Sequence, residues 1–101
     1  MLTVKNNDNI LLITIASESM NINNSDMILK ELKNAALNDS ETDIEIDFKQ
    51  VRFIDSSAIA MLVNFVQSLA RSKRKMSIIN VTEQIKNTIK VLNLTKFLNI
   101  K

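Results

Sequence analysis

Cysteine, histidine, glycine, proline, tryptophan and tyrosine are all missing from this chain of 101 residues. Without cysteine there are no disulfides, thiolate metal sites or thiol nucleophiles, and without histidine the usual metal ligand and general base are gone too. Both absences argue against an enzyme, and neither a metal nor a cofactor is expected. Without glycine, neither a dinucleotide-binding fingerprint nor a P-loop can form. Turns that need a positive φ must use another residue. The thirteen asparagines are the natural substitutes, because Asn tolerates the left-handed region better than other non-glycine residues.

Long apolar runs are also missing. None approaches the roughly 18 residues of a membrane span, so no membrane insertion is expected. The opening "MLTVKNNDNILL" lacks the order of a signal peptide, which makes the cytoplasm the expected location. Charge of one sign is scarce as well: thirteen Lys and Arg against eleven Asp and Glu leave a formal +2. That is too little to announce nucleic acid or a membrane surface as the partner. What is present is apolar substance, 46% of the chain, enough for one globular domain over residues 1–101.

Along the chain, short strands alternate with helices. "TVK" and "NILLITIA" flank "NNDN" and predict an opening hairpin. "NSDMILKELKNAAL" follows as an amphipathic helix, with Asn24 or Ser25 as N-cap and Ile28, Leu29, Leu32, Ala35 and Ala36 at helical spacing. "TDIEIDF" alternates Ile44, Ile46 and Phe48 with acids as a strand does. A helix opening at "DSSA" carries Ala58, Met61, Leu62, Phe65 and Leu69 on one face and runs to about Ser72. "KMSIINV" is a strand. A helix begun by Thr82 bears Ile85, Ile89 and Leu92, with Asn93 in the left-handed stop position. "FLNI" predicts a last short strand. Strands separated by helices favour a mixed, mainly parallel α/β sheet of about five strands, since parallel neighbours need long crossovers. Sites in such sheets gather beyond the carboxyl ends of the strands, where helices begin.

"FIDSSAIAML", residues 53–62, lies at such a place. Asp and Ser are favoured N-caps, and one of them suffices to cap the helix. On that structural account Asp55 caps while Ser56 and Ser57 are tolerated in the first turn. The functional account is a phosphorylatable serine at a helix start. Free backbone amides and the helix dipole would stabilise its phosphate there, and the added 1.5 to 2 or so negative charges beside Asp55 would change what can dock.

The order hairpin, helix, strand, helix, strand, helix, strand, with "VRFIDSSAIAML" at its centre and "LNLTKFLNI" at its close, resembles a STAS domain of the anti-sigma factor antagonist type across nearly the whole chain. The resemblance implies that Ser56, directly after Asp55, is phosphorylated by a serine kinase that is also the anti-sigma factor, and that Ser57 is the second hydroxyl. It further implies that the unmodified domain binds that kinase and frees its sigma factor. Phosphorylation releases the domain, and a PP2C-type phosphatase restores it. The family's Gly-Leu-Gly after the serines is Ala58-Ile59-Ala60 here. Its Gly-Glu-Leu-Asp segment aligns with "SESM", which retains Glu18 as a candidate partner contact and puts Met20 where the family has an acid. Two alternatives stand beside this function: a non-phosphorylated STAS accessory subunit of a membrane transport complex, and a small serine hydrolase using Ser56.

On the central helix, Ile59 and Val63 fall between the core-facing and polar sets. They are expected to form an exposed apolar strip beside Ser56, which would join Asp55, Ser57 and Glu18 in partner binding. "RSKRK" reads as solvated cations at a helix C-terminus. No aromatic residue interleaves with it, so direct nucleic-acid binding is not expected. Phe48, Phe53, Phe65 and Phe97 all read as core. Asp43, Glu45 and Asp47 share one strand face, most simply a solvated one or one whose acids pair with lysines. Ser56 or Ser57 as a nucleophile would lack a histidine base, and no Ser-x-x-Lys spacing follows.

Overall fold

A computed structural model describes residues 1–38 and 42–101. The hairpin pairs β1 (Leu2–Asn7) antiparallel with β2 (Ile10–Ile15), and its two-residue loop is Asp8-Asn9. Two short strands, β3 (Ser19–Met20) and β5 (Phe53–Ile54), flank helix α1 (Ser25–Asn38) and strand β4 (Asp43–Asp47). Helix α2 (Ser56–Ala70), strand β6 (Met76–Ile79) and helix α3 (Glu83–Val91) complete the chain. The main sheet has the order β1-β2-β4-β6, antiparallel at β1-β2 and parallel elsewhere. Its four strands are joined by one parallel bridge, Ile78 to Ile100, where a fifth strand was expected. "FLNI" is otherwise turn: the Leu98 amide bonds back to the Leu94 carbonyl at 2.9 Å.

The alternation of side chains explains the core. Parallel register places Ile13, Ile46 and Ile78 in one row and Leu11, Ile44 and Met76 in the next, and all six are buried. Each large apolar side chain withdrawn in this way contributes about 1.5–3 kcal/mol. Ile28 and Leu32 of α1, Leu62, Phe65 and Leu69 of α2, and Ile85 and Ile89 of α3 complete one contiguous cluster.

Two phenylalanines depart from expectation. Phe48 and Phe65 are buried, but Phe53 is 55% and Phe97 44% exposed. In β5 the inward position belongs to the next residue, Ile54, which is in register with buried Met20. In the final turn Leu98 takes the inward position and leaves Phe97 outside.

Without glycine, five non-glycine residues adopt positive φ: Asp8, Lys73, Asn80, Asn93 and Asn99. Asn93 does so after α3 as expected. Lys73 follows α2, where the Arg74 amide reaches back to the Leu69 carbonyl at 3.1 Å; helix stops of this kind ordinarily use glycine at the left-handed residue. A lysine there bears a steric penalty of about 1–2 kcal/mol.

Arg74 of "RSKRK" is not a solvated cation. Its Nη1 donates to the Ala36 carbonyl at 2.6 Å and its Nε to the Thr42 carbonyl at 2.7 Å. The last turn of α1 has no basic side chain of its own. An arginine 38 residues along the chain therefore answers its unpaired carbonyls and its negative dipole end.

Two stability measurements follow. Arg74→Ala is expected to lower unfolding free energy by about 2 kcal/mol, the scale of charge-assisted hydrogen bonds. Arg74→Lys should recover less than half of that loss, because an ammonium cannot reach two carbonyls as a planar fork does; urea titration of the three proteins reads both. Lys73→Gly should instead stabilise by about 1 kcal/mol, seen as a rise of about 4 °C in the thermal midpoint.

Candidate functional site

The site is assembled where a two-strand ladder ends and α2 begins. β3 and β5 pair in parallel, Ser19 with Phe53 and Met20 with Ile54. The Glu18 carbonyl accepts the amides of Arg52 (2.8 Å) and Phe53 (3.1 Å), and the Met20 carbonyl accepts that of Asp55 at 3.2 Å. Glu18 thus holds the site through its backbone, and its side chain points to solvent. Met20 is fully buried, so this position offers no surface contact to a partner.

Asp55 is in extended conformation and caps α2, its Oδ1 accepting from the Ala58 amide at 3.0 Å. Its second oxygen is also engaged: Oδ2 accepts from the Ile22 amide at 3.0 Å. One carboxylate therefore pins the start of α2 to the loop between β3 and α1. Asparagines wire that loop from within. The Asn21 amide donates to Asn24 Oδ1 and the Asn23 amide to Asn21 Oδ1, both at 2.8 Å. Asn24 Nδ2 donates to the Ser19 carbonyl at 2.7 Å. Asn24 was a candidate N-cap for α1; its carbonyl does accept the Ile28 amide, but its side chain is spent on the loop. The rigid turn that results carries Ile22, which is 71% exposed.

Ser56 is the first residue of α2 and is exposed. Among the described residues its hydroxyl has no hydrogen-bond partner. Amides of a first helical turn have no acceptor within the helix. Asp55 answers that of Ala58, so those of Ser56 and Ser57 remain available to an added anion. Ser57 is half-buried and lines a groove of about 370 Å³ with Ile22, Asp26, Leu29 and Met61, between the starts of α1 and α2.

Ile59 does not form the expected exposed strip. It is only 7% exposed, and Val63 is half-buried against the core. The apolar stripe of α2 is wider than a single ridge and takes in Ile59, and part of Val63, on the flank turned away from α1. The large apolar side chains left outside near Ser56 are Ile22 and Phe53. Ile22 could have been suspected as a lone apolar residue among asparagines in "MNINNSD". Phe53 could not, since a two-residue strand shows no period to reveal which side faces in. Asp43 lies at the other end of its strand from this site, and Glu45 at the middle. Asp47 is buried at the carboxyl end of β4, where it accepts from Asn80 Nδ2 at 3.0 Å and lies 3.9 Å from Lys49 Nζ, so of the two readings the lysine-paired one and not the solvated one fits it. The described residues contain no group of acids that could hold a metal ion.

Solved structures share this architecture. An anti-sigma-factor antagonist (STAS) domain protein from Planctomyces limnophilus superposes with a TM-score of 0.87 at 15% identity, covering 98% of this chain and 87% of that one. The Bacillus cell fate determinant SpoIIAA in its phosphorylated form gives 0.71 at 13% identity, covering 100% of this chain and 91% of that one. The murine anion transporter Slc26a9 gives 0.76 at 17% identity, covering 87% of this chain but 14% of the transporter. At such identities these likenesses establish the fold. A search of the curated proteins gave no match. The STAS domain family itself matches residues 1–101, and the chain belongs to that family.

Proposed function

We propose that this STAS domain is an anti-sigma factor antagonist, a partner switch whose state is set by phosphorylation of Ser56. The observation that carries the reading is an unengaged, exposed serine hydroxyl at the first position of α2, directly after the capping Asp55 and close to exposed Ile22. In the unmodified state the domain binds an anti-sigma factor serine kinase through Ser56, Ser57, Ile22 and Phe53, with Asp55 holding the geometry. Glu18 lies at the edge of the same surface. Ile59 and Val63 contribute by supporting α2 from beneath. A phosphate on Ser56 sets about 1.5 to 2 negative charges beside the Asp55 carboxylate and in front of the apolar contacts, which removes the fit. A PP2C-type phosphatase returns the domain to its binding form. SpoIIAA, solved both unphosphorylated and phosphorylated, supports a phosphorylated state for this fold.

The domain acts by binding and not by catalysis. A serine nucleophile needs a base within hydrogen-bond reach, and the Ser56 hydroxyl has no such neighbour among the described residues. No helix among the described residues is long and apolar enough to cross a membrane; the expected setting is the cytoplasm. A second reading, a STAS subunit of a membrane transport complex, draws on the likeness to the anion transporter. Affinity capture from native cells separates the two by whether a kinase or a permease is recovered.

Kinase and ATP should add one phosphate, mapped by mass spectrometry to Ser56; a phosphate on Ser57 would overturn the assignment. Ser56→Ala should bind the kinase and resist modification. Ile22→Glu should weaken kinase binding tenfold or more, the scale of about 1.5 kcal/mol of lost apolar burial, with an unchanged thermal midpoint. Ile59→Glu should instead lower stability by about 3 kcal/mol, because it places a charge at a buried site. Calorimetric titration and a melt on each protein distinguish these outcomes. Asp55→Asn provides a finer test: Asn is a favoured N-cap, so its one carbonyl oxygen should stay on the Ala58 amide while the bond to the Ile22 amide is lost, leaving α2 capped and binding weakened.

A further inference from the structure

The two edges of the main sheet differ. At β6 the segment after α3 lies along the edge: the Ile78 amide donates to the Asn99 carbonyl at 3.1 Å, and the Lys101 amide to the Ile78 carbonyl at 2.9 Å. At the other edge stands β1, with no strand beyond it among the described residues. Natural edges are commonly blunted by a bulge or a proline. The register of β1 on β2 runs unbroken from Leu2 opposite Ile15 to Asn7 opposite Ile10, and the chain has no proline.

The hairpin decides which backbone groups face that open edge. Opposite residues of an antiparallel pair alternate between exchanging both hydrogen bonds and exchanging none. The Ala16 amide donates to the Met1 carbonyl at 2.7 Å, so Met1, Thr3 and Lys5 bond to β2, while Leu2 and Val4 turn their N–H and C=O groups outward. Among the described residues these groups have no partner there. The side chains of Leu2 and Val4 lie on the face that carries the helices, opposite buried Ile15 and Ile13. Val4 is nevertheless 48% exposed. With Leu2, Leu11 and Ala35 it lines a groove of about 360 Å³ between the sheet edge and α1.

We infer that β1 pairs with β1 of a second copy of this chain about a two-fold axis at Thr3, joining two four-stranded sheets into one continuous sheet. In this register the strand is its own complement. Leu2 falls opposite Val4 of the second copy and Val4 opposite Leu2, so the outward groups of each pair exchange both hydrogen bonds. Opposite residues share a face and touch. Each exposed Val4 therefore covers a Leu2 of the other copy, and the two grooves meet across the axis. Lys5 falls opposite Met1, itself 38% exposed, so no like charges meet. An axis at Val4 would set Leu2 against polar Asn6, and one at Lys5 would oppose two lysines. A foreign strand would need the same apolar pair at the same spacing, which a second copy already carries, and such self-complementarity is what a two-fold interface requires. The inference is independent of phosphorylation at Ser56.

The test uses the intact chain in solution. Sedimentation over a concentration series should show a dimer, and the Leu2 and Val4 amides should gain protection from hydrogen exchange as it forms. Because the chain has no cysteine, Thr3→Cys places a single thiol at the axis. Thr3 directs its own backbone groups to β2, so at the axis it forms a pair without hydrogen bonds, with Cα atoms about 4.5 Å apart and within disulfide reach. Oxidised glutathione should therefore link this variant covalently, and should leave Asn87→Cys on α3 unlinked. Val4→Lys should raise the dissociation constant about tenfold or more. Val91→Lys, which replaces an exposed valine elsewhere, should change it less than twofold. A melt shows that each variant is folded, and if Val4→Lys lowers the midpoint the Thr3→Cys link decides. A monomer throughout the series, equal linking of the two cysteine variants, or a dimer unmoved by a folded Val4→Lys would each overturn the proposal. So would protection of the Leu2 and Val4 amides that appears only when another protein is added, which would assign the edge to a foreign strand.

Discussion

Two amides from different parts of the chain depend on one carboxylate. Asp55 Oδ1 answers Ala58 at the start of α2, and Oδ2 answers Ile22 in the loop between β3 and α1. Neither bond is unusual alone, since an N-cap contributes about 1 kcal/mol. Their sharing of one side chain makes the position of Ile22 and the start of α2 a single geometric fact. Any event that changes the charge around Asp55 therefore acts on both the helix start and the apolar contact nearby. A serine placed one residue later is well situated to do so.

The elements that could be read from sequence were those long enough to show a period. Alternation in "TDIEIDF" and helical spacing in "NSDMILKELKNAAL" gave β4 and α1, and Thr82 marked the start of α3, its Oγ1 accepting from the Ile85 amide at 3.3 Å. The family motif gave Asp55 and Ser56 in the right order at the right helix start. The features without such a period depend on distant parts of the chain. The two residues of β3 and of β5 have no period, so the exposure of Phe53 came from a pairing that sequence cannot display. Ile59 reads as exposed because its angle on the helix lies off the core axis, but the buried stripe of α2 is wide enough to include it. Arg74 looked like one cation in a run, and its acceptors lie 38 residues before it.

Glycine-free construction explains a second set of features. Where other chains stop a helix or turn a corner with glycine, this one uses Asn80, Asn93 and Asn99, and the side chains of Asn80 and Asn99 are held by partners distant in sequence. Asn99 illustrates this, donating from Nδ2 to the Met76 carbonyl at 3.1 Å while its own backbone turns. The asparagines of the 21–24 loop act differently, bonding to one another and to Ser19 without positive φ. Asparagine here replaces glycine's freedom in some places and supplies rigidity in others.

Topology sets where the exposed end of α3 lies relative to the candidate site. Because Ile100 pairs in parallel with Ile78, the chain must return through α3 from the carboxyl end of β6 toward its beginning. The C-terminal end of α3, with Val91 and Leu92, therefore lies at the amino ends of the parallel strands. α2 begins at the opposite pole, after β5, and Ser56 lies there with it. The exposed apolar end of α3 and the start of α2 therefore stand at opposite poles of the sheet.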